Sequence, residues 1–263
     1  MLVRGEINAG HGGSIRRAGR GRDMTEVAVV TGASRGIGFE VCRQLAQRGM
    51  TVVLTARDVP AGCRAAAALA ATAGDVRFQP LDVTDHASAA ELADWLREEF
   101  GRLDVLVNNA GAYLDWAESA TEADLKRTAR VFDTNVLGPW RVVQAMLSLL
   151  RVTPGARLVN VSSATGSYGD TDLGLGANGG RPASDGVSRA ALNALTRSLA
   201  AELADTGILV NAVDPGLTAT GPGLWEVGAR PIAAGAAGVV WAATLPPNGP
   251  RGGFFRDGVA LPW

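Results

Sequence analysis

Residues 27–38 read VAVVTGASRGIG, in which a short apolar, valine-rich run leads directly into a turn with three glycines. A helical pattern over residues 38–48 follows this turn. Glycines at a strand-to-helix turn let the backbone approach a pyrophosphate at the helix N-terminus, where unpaired amide groups favour an anion. The stretch therefore predicts a dinucleotide-binding strand-turn-helix unit.

Further apolar runs alternate with Ala- and Leu-rich helical patterns beyond this unit. The predicted strands span residues 27–31, 51–55, 76–81, 105–108, 157–162 and 209–213. The predicted helices span residues 38–48, 61–73, 87–100, 122–149 with an interruption around Gly138-Pro139, and 187–204. This alternation predicts an α/β fold, a doubly wound Rossmann fold whose parallel sheet has helices on both faces. Residues 24–263 are predicted to form this one domain.

Composition excludes several classes of partner. The chain has 263 residues, 47% hydrophobic and 19% charged, and 25 basic residues stand against 26 acidic ones, so no general positive field exists to hold nucleic acid or an anionic membrane. The uncharged stretch 231–250 is broken by glycines and prolines, so the apolar run inside it is too short for a span of about 20 apolar residues. Cys42 and Cys63 have no second cysteine pair or histidine cluster, so neither a disulfide framework nor a metal site is predicted. We expect a soluble, cytoplasmic protein.

The first 23 residues differ from the rest, because five arginines are scattered among six glycines and little can pack. The pair Arg16-Arg17 is not followed by an apolar export core, so a twin-arginine signal is not predicted. We interpret residues 1–23 as a disordered leader and Met24 as a candidate start.

Deletion of residues 1–23 is expected to leave the melting temperature nearly unchanged, because the leader adds little to a core. Thermal unfolding of the full and shortened chains checks this. A loss of several degrees in the shortened chain would show that the leader docks on the domain.

Four more motifs occur along the chain, three after predicted strands and one within the predicted helix 122–149. They are Asn108-Asn109-Ala110-Gly111 after the fourth strand, Asn135 in FDTNVLGPW, Val161-Ser162-Ser163 after the fifth strand, and Asp214-Pro215-Gly216 with Thr220 after the sixth. Together with the TGASRGIG turn, they resemble the short-chain dehydrogenase/reductase family over residues 27–263. VLTARDV at 53–59 and GGFFRD at 252–257 resemble its carbonyl-reductase branch.

The cofactor site is expected at the ends of the strands. The turn, the third-strand end and the resemblance together nominate Gly32, Ser34, Arg35, Gly36, Ile37, Gly38, Asp82, Val83, Asn109, Ala110, Gly111, Arg189, Pro215, Gly216 and Thr220. A Rossmann site reads the adenosine ribose with an acid after the second strand, or a 2′-phosphate with arginines. Arg57 lies after the second strand and Arg35 lies in the glycine turn. These two arginines favour NADP over NAD. The alternative is that Arg57 only pairs with Asp58 in solvent.

The family's reaction joins hydride transfer from nicotinamide to proton donation by a tyrosine, assisted by a lysine four residues later, a serine and an asparagine. By motif match the serine is Ser163 and the asparagine is Asn135. The tyrosine and lysine positions hold Asp185 and Arg189, in a helix whose residues 190–201 continue the family pattern. No displaced copy of the motif exists, because neither Tyr113 nor Tyr168 precedes a lysine by four residues.

This departure changes the expected chemistry. An aspartate with an arginine one helical turn away is expected to be ionised at pH 7, so Asp185 has no proton to give and repels a developing alkoxide. Loss of a general acid usually costs a factor of ~10² to 10⁴ in rate. Arg189 can still donate to a nicotinamide ribose. The alternative for the pair is a salt bridge on a helix without a catalytic role.

Three hypotheses follow from these residues. The first is an NADP-linked oxidoreductase in which Ser163, a water or Tyr168 supplies the proton. The second is a non-redox isomerase, dehydratase or cyclase in which Asp185 is the base and Ser163 and Asn135 hold an oxygen. The third is a cofactor-binding protein without catalysis. For Tyr168 the competing interpretation is a loop tyrosine that covers apolar surface.

Substrate choice is expected to depend on a loop. Residues 169–181 contain five glycines and are longer than compact family members need between the serine and the tyrosine, which predicts a mobile lid. A solvated surface loop is the alternative. Tyr113, Trp116, Trp225 and residues 217–223 are predicted to line the cleft of a small-molecule substrate. The residues favour neither a monomer nor a homo-oligomer.

Overall fold

The computed structural model describes residues 25–113 and 115–263, so the predicted leader and Met24 lie outside the described residues. Within these ranges eight strands form one sheet in the order β3-β2-β1-β4-β5-β6-β7-β8. The strands are β1 (Val27–Val30), β2 (Thr51–Ala56), β3 (Val76–Pro80), β4 (Val105–Asn108), β5 (Arg157–Val161), β6 (Leu209–Val213), β7 (Phe254–Arg256) and β8 (Val259–Ala260). The pairs from β3 to β7 are parallel, and only β8 runs antiparallel to its neighbour.

Helices cover both faces of the sheet. They are α1 (Gly36–Ala46), α2 (Val59–Ala70), α3 (His86–Glu99), α4 (Leu125–Phe132), α5 (Gly138–Arg151), α6 (Ala183–Glu202) and α7 (Ile232–Ala243). One core cluster joins the sheet to α3, α5 and α6, and a second joins it to α1, α2 and α7. The predicted doubly wound α/β fold is therefore confirmed. None of the described helices is long and apolar enough to cross a membrane.

The central strands read as continuous apolar runs because each of their faces meets a core. In β1, Val27 and Val29 belong to the first cluster, whereas Ala28 and Val30 belong to the second. All four side chains are buried. A strand covered on both faces has no polar alternation, which is the pattern that predicted a parallel sheet.

Several predicted boundaries were wrong. Helix α6 begins at Ala183 rather than at residue 187, because the Ala183 amide donates to the Glu118 carbonyl at 3.1 Å and the Ser184 amide to Glu118 Oε2 at 2.9 Å. Glu118, which caps this helix, is 66 residues away from Ser184 in the sequence. Strand β3 ends at Pro80, so Asp82 lies in the loop that follows. The helical stretch 122–149, predicted with an interruption around Gly138-Pro139, begins at Leu125 and is two helices, α4 and α5, joined by a π-helical turn at Asp133–Leu137 just before Gly138.

Helix α7 and the β7-β8 hairpin were not predicted. Helix α7 contains only apolar residues and glycine and is buried along most of its length, so it has no polar face to reveal a helical period. Gly235 is required there, because a Cβ would stand 2.5 Å from Thr218 Oγ1. The two C-terminal strands contain only three and two residues, too few for a pattern.

Candidate active site

The loops after β1 and β4 meet at the carboxyl edge of the sheet. The Thr31 hydroxyl accepts hydrogen bonds from the amides of Asn109 at 2.9 Å and Ala110 at 3.0 Å, and Asn109 Nδ2 donates to the Thr31 carbonyl at 2.9 Å. A Cβ on Gly32 would stand 2.8 Å from Ala110 Cα, and one on Gly38 would overlap the side chain of Asn109. These two glycines are needed for contact between the loops.

The N-terminus of α1 is open. Asp58, Asp85 and Asp124 cap α2, α3 and α4 with their carboxylates, whereas Arg35 at the start of α1 makes no side-chain capping bond. Gly36 has φ +63°, so the chain turns sharply into the helix. Uncapped amides at a helix N-terminus beside a glycine turn fit a phosphate group, as the sequence predicted.

The loop after β6 closes the same edge. Thr220 Cγ2 lies 3.6 Å from the position of a Cβ on Gly36. Asp214 is buried, and its Oδ1 accepts from the Gly216 amide at 2.8 Å while its Oδ2 accepts from Arg256 Nε at 2.8 Å. The predicted residues Pro215, Gly216 and Thr220 are therefore held opposite the glycine turn.

Arg57 is an exposed cation directly after β2. Asp58 does not pair with it, because the Asp58 carboxylate accepts from the Ala61 amide at 2.9 Å. Among the residues that the structure describes, no carboxylate lies within salt-bridge distance of Arg57. Its guanidinium is left available for an anionic ligand.

Asp82 lies beside this cation. The Thr84 hydroxyl donates to its Oδ1 at 2.7 Å and the Thr84 amide at 2.9 Å, and these bonds, with the charges of Arg57 and Arg141, lower the pKa of Asp82. The neighbouring Val83 is buried and its carbonyl accepts from Arg141 at 3.2 Å. The structure thus presents Asp82 as an ionised hydrogen-bond acceptor next to Arg57.

Asp185 and Arg189 form an ion pair at the start of α6. Arg189 Nε lies 3.3 Å from Asp185 Oδ1, and the two side chains are only 14% and 10% exposed, Arg189 first. Each partner has a second hydrogen bond: the Thr165 hydroxyl donates to Asp185 Oδ2 at 3.0 Å, and Arg189 NH1 donates to the Val161 carbonyl at 3.0 Å. A Cβ on Gly111 would stand 2.9 Å from Arg189 NH2, so the guanidinium reaches the loop after β4.

Asn135 is tied to this pair through Ser188. Its amide group exchanges two hydrogen bonds of 2.8 Å with the backbone of Ala112, and its Nδ2 donates to Ser188 Oγ at 3.0 Å. Ser188 Oγ in turn donates to the Asp185 carbonyl at 2.8 Å. The π-helical turn that contains Asn135 brings it within reach of α6.

Ser163 joins the cluster through Thr165. Ser163 is half-buried, and its Oγ accepts from the Thr165 amide at 3.3 Å. Asn135, Ser163, Asp185 and Arg189 are therefore brought together by two residues, Thr165 and Ser188, that sequence reasoning missed. Both stand within three residues of a predicted site residue, which is the one signal that could have nominated them.

Tyr168 is separate from this cluster. Its side chain is 82% exposed and, within the described part of the chain, its hydroxyl makes no hydrogen bond. Its ring lines a pocket beside α6 with Arg197 and Trp263. Of the residues predicted to line the cleft, Tyr113 and Trp116 are exposed with ring centroids 6.2 Å apart, and Trp225 is exposed as well.

Comparisons with known proteins show the family to which the chain belongs. Residues 26–223 match the family described as short chain dehydrogenase. The chain is 32% identical to (-)-isopiperitenone reductase of Mentha piperita, over 91% of this chain and 98% of that protein. Its structure matches salutaridine reductase from Papaver somniferum with a TM-score of 0.76, 31% identity and coverage of 88% and 99%. It also matches NADPH-bound carbonyl reductase from chicken fatty liver, with a TM-score of 0.78, 28% identity and coverage of 91% and 99%. The chain belongs to the short-chain dehydrogenase family.

Thr31→Val is expected to lower the free energy of unfolding by about 1–3 kcal/mol, because an isosteric methyl group leaves the Asn109 and Ala110 amides without their acceptor. Denaturant unfolding measures the loss. Thr31→Ser keeps the hydroxyl and serves as the matched control. Equal stability of the valine and serine variants would contradict the bridging role of this hydroxyl.

Proposed function

We propose that this chain is an NADP(H)-dependent oxidoreductase that interconverts a carbonyl and an alcohol on a small molecule, with Asn135, Ser163, Asp185 and Arg189 as its catalytic group. The observation that carries the proposal is the hydrogen-bonded cluster of these four side chains beside Gly111 and the open end of α1. Membership of the short-chain dehydrogenase family and the named reductases among its relatives support the redox class. A cytoplasmic location is part of the same proposal.

The NADP prediction is confirmed by relatives that are named for, or contain, NADPH. In this chain Arg57, together with Arg35, is proposed to bind the 2′-phosphate, the amides of residues 34–38 the pyrophosphate, and Asp82 the adenine. Arg189 is proposed to donate to the nicotinamide ribose. When bound, the cofactor supplies or accepts a hydride at its nicotinamide ring.

In the reduction direction the substrate oxygen also needs a proton, and Asp185 is not its source. Both Asp185 oxygens accept hydrogen bonds, one from Thr165 and one from Arg189, as an ionised carboxylate does. The Ser163 hydroxyl accepts from the Thr165 amide, which leaves its own proton free to be donated to a substrate oxygen. We therefore assign proton donation to Ser163, resupplied from water, with Tyr168 as the other donor to test.

One assay distinguishes the redox proposal from its two alternatives, a non-redox enzyme and a cofactor-binding protein without catalysis. Oxidation of NADPH with a panel of ketones and aldehydes supports the redox proposal. Turnover of a substrate without a change in nicotinamide absorbance would favour a non-redox enzyme with Asp185 as base. Tight NADPH binding with neither result would favour a cofactor-binding protein without catalysis.

Arg57→Asp is expected to reduce the preference for NADPH over NADH by about tenfold or more, because a charge-assisted bond to the 2′-phosphate is replaced by repulsion. Fluorescence titration with both nucleotides measures the preference. Arg64→Asp, an exposed charge reversal on α2, is the control and should leave it unchanged. An unchanged preference in Arg57→Asp would exclude this residue as the phosphate contact.

Restoring the family pattern tests the altered centre. Asp185→Tyr combined with Arg189→Lys supplies a phenol with its lysine, and reduction of simple ketones is expected to rise by ~10²- to 10⁴-fold. Each single change should do far less, because the phenol alone lacks its lysine and the lysine alone only rebuilds a salt bridge to Asp185. Steady-state kcat/KM of the four proteins measures this coupling.

Two results bear on this prediction directly. Adding Ser163→Ala to the double variant should remove most of the gain, because the restored tyrosine acts with this serine. A wild-type rate on simple ketones that already equals that of the double variant would show that Asp185 does not impair proton transfer. Tyr168→Phe would then test Tyr168 as the donor.

A further inference from the structure

The last two residues of the sequence, Pro262 and Trp263, lie across the segment that follows the Ser163 turn. A main-chain oxygen of Trp263 accepts from the amides of Tyr168 and Gly169, both at 2.9 Å. The Pro262 carbonyl accepts from Ser167 Oγ at 2.8 Å. We call residues 262–263 the C-terminal strap.

The strap is anchored by the indole of Trp263. Its ring stacks on the buried Phe254 of β7 with centroids 5.6 Å apart and an interplanar angle of 22°. The Arg197 guanidinium of α6 lies 5.5 Å from the centroid of the same ring. The indole therefore connects the edge of the sheet to the helix that carries Asp185 and Arg189.

Close contacts show how tightly the strap fits. A Cβ on Gly169 would stand 2.8 Å from Pro262 Cβ, so only glycine lets the chain pass under the strap. Ser167 is fully buried, and its Oγ also accepts from the amides of Gly169 at 3.2 Å and Asp170 at 2.9 Å. The strap thus holds Ser167 and the first residues of the 169–181 loop together.

Ser167 transmits this restraint in two directions. Its amide donates to the Ala164 carbonyl at 2.8 Å, in the turn that begins directly after Ser163. Its carbonyl accepts from the Leu175 amide at 2.9 Å, and Leu175 Cδ2 lies 3.2 Å from the position of a Cβ on Gly186, next to Asp185. The strap is therefore linked both to the proton donor that we assign and to the loop beside the ion pair.

We propose that Trp263 is a positioning residue of the active site: its indole locks the C-terminal strap over residues 167–169 and thereby fixes the Ser163 turn and the 169–181 loop for substrate binding. The catalytic part of this inference rests on the proposed function. The restraint on the loop does not depend on any activity.

The restraint is tested by hydrogen exchange of the Tyr168 and Gly169 amides in full-length protein. Trp263→Ala should speed their exchange by about threefold to tenfold, because the strap of the variant can open without breaking an aromatic stack. Thermolysin cleavage before Leu173 or Leu175 should speed up in parallel. Trp263→Phe keeps a ring on Phe254 and should restore most of the protection.

Val259→Ala is the matched control, since Val259 is an exposed apolar residue in the same terminal hairpin. It should leave exchange at both amides unchanged. Arg197→Ala, which removes only the cation from the indole, provides a second folded variant if Trp263→Ala fails to fold. Unchanged exchange in folded Trp263→Ala and Arg197→Ala, or an equal increase in Val259→Ala, would overturn the proposal.

The catalytic part is measured with any carbonyl compound that the wild type reduces. Trp263→Ala should raise KM for this compound, and lower kcat, while KM for NADPH stays constant, because the strap contacts residues 167–169 directly after the Ser163 turn. A merely structural role would lower the melting temperature without this split. If the wild type reduces no compound, the proposed function fails, and the exchange experiment still decides whether the strap holds the loop.

Discussion

At Gly32 a Cβ would stand 2.8 Å from Ala110 Cα, so the turn after β1 can close on the loop after β4 only if this residue is glycine. The two strands are neighbours at the point where the order of the sheet reverses direction. The Thr31 hydroxyl accepts both amides of the facing loop and fixes their separation. Because Gly111 in that loop contacts Arg189, the same constraint also sets the position of the cluster on α6.

A largely buried ion pair is costly unless hydrogen bonds compensate its loss of hydration. Asp185 and Arg189 meet this condition, because the Thr165 hydroxyl donates a hydrogen bond to the carboxylate and the Val161 carbonyl accepts one from the guanidinium. Removal of one partner alone leaves a charge without its counterion in a site with little solvent. The two side chains therefore stabilise each other as a unit.

Six of the seven strands that pair in parallel were predictable, because strands with both faces buried are rich in apolar residues. The glycine turn and the motifs after the strands were predictable as well, because each lies directly after the end of a predicted strand. Helix α7 lacks a polar face, and the cap of α6 comes from Glu118, so neither leaves a local pattern. Thr165 and Ser188 lie close in sequence to predicted site residues, but their hydrogen bonds in the site depend on three-dimensional geometry. The strap depends on contacts between residues about 95 positions apart, such as the hydrogen bond between Ser167 and Pro262.

The hydrogen-bond donors and acceptors of each side chain determine its role in the proposed centre. Asp185 offers only acceptors, and the Arg189 donors are directed at Asp185, Val161 and the vicinity of Gly111. Within the cluster, Ser163 is the side chain whose hydroxyl donates to none of the described residues. A carbonyl oxygen accepts and does not donate, so in this cluster its natural partner is Ser163 rather than Asp185. In the proposed centre Asp185 acts indirectly: it accepts a hydrogen bond from the Thr165 hydroxyl, and the Thr165 amide donates to Ser163.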